Sequence, residues 1–182
     1  GFGYLYQNIN QMNLFISRTL HADVLTESAK NYYLGQVYGL RAYYMYQLYR
    51  SWGDAVFTEE PSLGFEVGKL AKAATPAAEI FEQVKKDIES SLSYFGPDYT
   101  IKEKKSLWSK AATLMLKADV YLWSAHRDGG EGDARTAKNA LVDIQNNISR
   151  SNLDLMDTYQ GVFAYDNKGN KEIIFTIHNE LF

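Results

Sequence analysis

GLRAYYMYQLYRSWGD, residues Gly39 to Asp54, is the stretch whose reading decides the fold. Leu40, Tyr44 and Leu48 repeat at a spacing of four, with Tyr43 and Tyr46 on the flanking faces, so apolar or aromatic surface covers well over half of a helix circumference. Such a helix has to be packed on several sides, and the rest of the chain reads as the elements that surround it. The stripe extends back through Ala29, Tyr33 and Val37 to a start near Thr26, where Thr26 or Ser28 can cap the first turn. It ends at Trp52-Gly53-Asp54, glycine supplying a left-handed terminating residue. Gly35 and Gly39 lie inside this helix. Each costs about 1 kcal/mol relative to alanine, which predicts close approach of another backbone, here assigned to the first helix. Arg41 stands on a turn otherwise lined by apolar residues, so its burial requires a carboxylate or carbonyl partner.

Leu5, Ile9, Met12 and Ile16, widened by Phe15 and Leu20, predict an amphipathic helix from Tyr4 to Leu20. Its other face carries Asn8, Asn10, Gln11 and Asn13, and reads as solvated unless a neighbour takes its hydrogen bonds. From Ala55 to Ala74 no period holds; a loop of about twenty residues is long for a compact domain and is a place to look for binding. Thr75-Pro76 restarts helix, with threonine as cap, and Ile80, Val84, Ile88, Leu92 and Phe95 form its inner stripe until Gly96-Pro97. Lys85, Lys86, Asp87 and Glu89 read as its solvated face.

Ser106 is the expected cap of a fourth helix with Trp108, Ala111, Ala112, Met115, Ala118, Leu122 and Ala125 inward. Asp128 to Asp133 reads as a turn, and Ala134, Ala137, Leu141, Ile144 and Ile148 trace a fifth helix. Asn152 to Tyr159 is an irregular connection and Asp166 to Asn170 a turn. Glu172 to His178 has the β-branched density of a short strand, which suggests that the chain continues beyond Phe182.

The 182 residues are 46% apolar, enough for one sizeable core. A net charge of -3, from 19 basic and 22 acidic side chains, supplies no field for a phosphate backbone, so nucleic acid is not an expected partner. Absence of cysteine excludes disulfides, thiolate metal sites and a cysteine nucleophile within these residues. Fourteen tyrosines, nine phenylalanines and three tryptophans suit both packed helices and surfaces that stack on sugar rings. No run of 18 apolar residues and no charged n-region before an apolar core occur, so the chain reads as a mature protein or a segment cut from a longer one.

Catalytic and metal patterns are weak. His21, His126 and His178 are too far apart for a helical metal pair. The run from Asp128 to Asp133 resembles a calcium loop, but its twelfth position is Asn139, where a bidentate glutamate belongs. Ser124, His126 and Asp128 lack any strand-turn-helix serine motif. Glu59 and Glu60 could serve as acid and base only with distant carboxylates. No enzyme activity, cofactor or metal is therefore expected.

GLRAYYMYQLYRSWGDAVF resembles the signature of the SusD/RagB-like proteins, in which a Leu-Arg-Ala triplet opens an aromatic helix that ends in an aromatic-glycine pair. YLYQNINQMNLFI, EIFEQVKKDIESSLSYF, SKAATLMLKADVYLWSA and KEIIFTIHN resemble further family segments in the same order, covering nearly the whole chain. Asp54-Ala55-Val56 departs from the pattern, since the family usually has a proline shortly after the glycine. Length departs too, because members are typically more than twice as long and begin with a signal peptide and a lipidated cysteine.

The resemblance implies an all-α fold of tetratricopeptide-like helix pairs in an α/α superhelix, with a short strand and an irregular segment near the C-terminus. Residues 1–182 would form one helical domain within a longer chain. It implies a non-catalytic, surface-exposed lipoprotein of the Bacteroidetes outer membrane, held there by a lipid anchor outside this segment, that binds oligosaccharide or polysaccharide and hands it to a TonB-dependent transporter. The family's ligand residues vary among members, so the resemblance carries none over; from their places near loops and termini, Phe2, Tyr4, Trp52 and Tyr99 are the candidate ligand-binding residues. Two alternatives remain: a helical-repeat scaffold for a protein partner, and a helical-barrel glycosidase, which would need paired carboxylates in a cleft.

Overall fold

A computed structural model describes residues 2–64, 72–102 and 105–177, and over them the protein is all-α. The helices are α1 Phe2–Leu20, α2 Glu27–Trp52, α3 Ala77–Phe95, α4 Lys110–Ser124 and α5 Gly130–Asn146, followed by the single turns α6 Ile148–Ser151 and α7 Tyr159–Val162. The chain divides into two compact units, Gly1–Tyr94 and Phe95–Phe182. None of the described helices is long and apolar enough to cross a membrane.

In the first unit α1 packs along α2. Thr26 caps α2, its hydroxyl accepting the Ala29 N–H at 3.2 Å. At the other end Gly53 takes φ 72°, and its N–H donates to the Tyr49 carbonyl at 2.9 Å. The helix is buried on several sides, yet the centre of burial is displaced from the Leu40–Tyr44–Leu48 stripe. Leu34, Ala42, Met45, Tyr46 and Leu48 are almost fully buried, whereas Leu40 and Tyr44 are half-buried. With apolar groups all round, periodicity cannot rank the faces; the neighbours do. One such neighbour is α3, whose Ser91 hydroxyl donates to the Gly35 carbonyl at 2.6 Å, where the sequence pointed to α1.

Ile80, Val84 and Ile88 of α3 are fully buried, as their spacing requires. The start of α3 is capped from across the loop: Asp54 Oδ1 accepts the Ala77 N–H at 2.8 Å, the role expected of Thr75. Thr75 instead forms an isolated antiparallel bridge with Ala55, with N–H···O distances of 3.1 and 2.9 Å. Asp87 is also not where its charged neighbours suggested. It is 1% exposed, because it follows the apolar stripe closely enough to face inward and finds a buried cation there.

In the second unit α4 packs on α5. Ser109, not Ser106, is the cap, accepting the Ala112 N–H at 3.2 Å. Trp108 precedes the helix and donates Nε1–H to Thr113 Oγ1 at 2.8 Å. Of the expected inner face Ala111, Ala112 and Ala118 are buried, whereas Met115 and Leu122 are exposed; Leu114, Leu116 and Val120 fill the core instead. The glycine-rich turn is shorter than it reads. A π-helical turn, Ala125–Gly129, continues α4, and α5 begins at Gly130 with φ 55°.

The strand expected at Glu172–His178 is not formed among the described residues. Residues 172–177 follow turns and irregular backbone, and His178 lies outside the described set. β-branched density needs a ladder partner to become a strand. Here the bonds go elsewhere: Glu172 N–H donates to Asn170 Oδ1 at 3.0 Å, Ile173 N–H to the Asn170 carbonyl at 3.3 Å and Thr176 N–H to the Lys105 carbonyl at 3.0 Å, while Glu172 Oε2 accepts the Met156 N–H at 2.8 Å.

Candidate functional site

Three helices and the segment that leaves α2 meet at Arg41, which is 2% exposed. Its Nε and Nη2 donate to Asp87 Oδ2 and Oδ1, both at 2.7 Å, and Nη1 donates to Asn13 Oδ1 at 2.8 Å. Gln83 Nε2 adds a bond to Asp87 Oδ1 at 3.0 Å. The Tyr38 ring lies 5.2 Å from the guanidinium and the Phe57 ring 6.0 Å. The fork of a guanidinium matches a carboxylate in a plane, which fixes α2 against α3 in angle as well as distance. The partner that burial of Arg41 demanded is therefore Asp87.

Asn13 then passes the network outward, its Nδ2 donating to the Thr58 carbonyl at 2.6 Å. Along the same face of α1, Tyr6 OH accepts the Val56 N–H at 3.1 Å. Asn10 pairs with Ser62 in both directions, at 2.7 Å to its N–H and 3.2 Å to its carbonyl. Part of the amide face that read as solvated is thus the binding face for residues 56–62. The long loop read from Ala55 to Ala74 leaves α2 here; its residues 65–71 lie outside the described set.

Of the four candidate ligand residues, Phe2 begins α1, and its side chain lies outside the described residues. Tyr4 is 73% and Trp52 47% exposed. Tyr6 and Val56 are bonded, so the first turns of α1 and the end of α2 meet, and Tyr4 and Trp52 belong to one end of the first unit. Tyr99 belongs to the second unit and is 9% exposed. Lys110 Nζ lies 3.9 Å and Arg150 Cζ 4.6 Å from its ring centroid, and its hydroxyl donates to Asp143 Oδ1 at 2.6 Å. These contacts make Tyr99 a packed residue of the second unit.

Burial, then the bond to Asp143 and its charge, push the Tyr99 phenol up to about 12. A group raised by folding contributes stability in full below its unfolded value, near pH 10, and loses it as pH rises through the folded value. Tyr99→Phe is expected to lower the unfolding free energy by about 1 kcal/mol at pH 8. The difference from the parent should shrink between pH 10 and 12, which urea unfolding at several pH values will measure.

Sequence reasoning did not single out an exposed aromatic group in the second unit. Tyr159, Phe163 and Tyr165 are 77, 68 and 85% exposed, with Tyr159 and Phe163 ring centroids 5.0 Å apart. They lie in single turns without period, so only their density of aromatic residues signalled them.

No family model matches the sequence. SusD-like protein P2 of Formosa agariphila is 30% identical over 153 residues, which are 83% of this chain and 28% of that protein. Among solved structures, B. fragilis NanU superposes with a TM-score of 0.89 at 46% identity, over 99% of this chain and 35% of that one. A SusD superfamily protein from Bacteroides vulgatus gives 0.86 at 42% identity, over 98% and 35%. The chain belongs to the SusD/RagB-like family. This SusD-like chain spans about a third of the length of the relatives it matches. Within it, the Leu40-Arg41-Ala42 opening of the signature is structural: Arg41 is the hub of the first unit and Ala42 is fully buried.

Proposed function

We propose that this SusD-like chain binds oligosaccharide or polysaccharide without cleaving it, as part of a surface-exposed outer-membrane lipoprotein that passes its ligand to a TonB-dependent transporter. The likeness to SusD superfamily structures over almost the whole chain carries the reading. In this reading residues 1–182 are one helical domain of a longer protein. The α1–α2 and α4–α5 pairs are then steps of a tetratricopeptide-like superhelix, and the lipid anchor lies outside them. Tyr4 and Trp52 offer ring faces to sugar C–H surfaces, while acids of the adjoining segment bond to hydroxyls.

A panel of oligosaccharides tests this by calorimetric titration with parallel assay of reducing ends. A protein of the same fold, 20% identical, has been crystallised with a xylogluco-oligosaccharide, so xyloglucan heptasaccharide and maltoheptaose open the panel. Saturable binding without new reducing ends is expected, and Trp52→Ala should weaken it about tenfold through loss of one stacking face. Cleavage would overturn the proposal. Silence across the panel would favour the scaffold for a protein partner, a reading that one observation supports: Leu155, Tyr159, Phe163 and Tyr165 are all more than two-thirds exposed.

A further inference from the structure

We propose that Tyr6, Asn10 and Asn13 are positioning residues for the candidate ligand segment, a side-chain clasp on α1 that holds residues 56–62 in one course beside Trp52. The inference rests on the reading that the segment following Trp52 takes part in glycan binding.

An irregular segment has no ladder of its own, so its backbone donors and acceptors need partners elsewhere. Four of those groups are met by α1: the Val56 N–H by Tyr6, the Thr58 carbonyl by Asn13, and the Ser62 N–H and carbonyl by Asn10. The spacing of 6, 10 and 13 is i, i+4, i+7, which keeps all three side chains on one helix face. The order of contacts describes the path. From Tyr6 the segment runs along α1 to Asn13, bends at residues 59–60, and returns to Asn10.

Two further contacts hold the bend. Thr58 Oγ1 donates to the Glu60 carbonyl at 3.2 Å, and Glu59 pairs with Lys86 of α3 at 2.9 Å. At its base the segment is closed by the Ala55–Thr75 bridge and the Asp54 cap on α3. A segment tied to rigid helices at both ends and along its length loses little freedom when a ligand arrives, and that loss is what weakens binding by unheld loops.

Asn10 is the member to test, because its bonds are at the surface while Asn13 belongs to the core. In hydrogen exchange without ligand, Asn10→Ala should let the Ser62 amide exchange about tenfold faster, with the melting temperature nearly unchanged. Asn10→Asp keeps the acceptor for the Ser62 N–H and should restore most of the protection. Titration with xyloglucan heptasaccharide and maltoheptaose should show about fivefold weaker binding for Asn10→Ala and partial recovery for Asn10→Asp.

Unchanged exchange at Ser62 in Asn10→Ala overturns the clasp. Faster exchange with undiminished affinity overturns its positioning role. If the unaltered protein binds neither sugar nor any other member of the panel, the functional reading fails and the positioning role with it, while the exchange ratio still decides whether the clasp exists.

Discussion

Asp87→Ala lowers the unfolding free energy by about 3–5 kcal/mol, the range for breaking a buried pair from one side. The substitution strands the Arg41 guanidinium among α1, α2 and α3 with two of its bonds gone and almost no access to water. Burial pushes the Asp87 carboxyl above its usual range, while the bond and charge of Arg41 and the bond from Gln83 pull it back. The same burial acts against the Arg41 cation, but the bond to Asp87 and its charge leave the guanidinium more firmly protonated than usual.

A carboxyl raised by folding adds stability below its unfolded value, near pH 4, and loses that contribution as pH rises through the folded value. At neutral pH the carboxylate is therefore held against its solvation, and what the pair supplies is fixed geometry. Arg41→Met combined with Asp87→Leu should accordingly recover much of the loss seen in Asp87→Ala. Urea unfolding of both variants measures this; equal destabilisation in the two would show that the charges themselves stabilise the fold.

The five long helices were legible because each carries apolar residues at helical spacing, and three of their ends because Thr26, Gly53 and Gly96-Pro97 have local chemistry that does not depend on neighbours. What could not be read was which side chains answer one another across elements. Asp87 sits in a charged run, Lys85-Lys86-Asp87, and nothing in that run distinguishes the one carboxylate that turns inward. The same holds for the asparagines of α1: composition shows a polar face, but only the placement of residues 56–62 shows what it bonds. The burial of Tyr99 was illegible for a related reason, since a place near a loop says nothing of Lys110, Asp143 and Arg150 arriving from later helices. The tail failed differently, because β-branched residues were given no strand to pair with among those described.

Asn13→Ala carries the second large effect, a loss of about 2–6 kcal/mol, although asparagine is neither apolar nor charged. The side chain is 3% exposed and uses both ends of its amide, accepting from Arg41 Nη1 and donating to the Thr58 carbonyl. Alanine leaves a buried guanidinium N–H and a carbonyl unpaired at once, and each stranded group costs about 1–3 kcal/mol. Asn13→Asp separates the two roles. A carboxylate still accepts from Arg41 but has no donor for Thr58, so the core should suffer less than in Asn13→Ala while the segment beyond Phe57 is released. Hydrogen exchange across residues 56–62 alongside urea unfolding will distinguish these. If Asn13→Asp protects the segment as well as the parent does, the amide is not the link between the buried ion pair and the surface beside Trp52. If it frees the segment while sparing the core, one side chain joins the hub of the fold to its candidate binding surface.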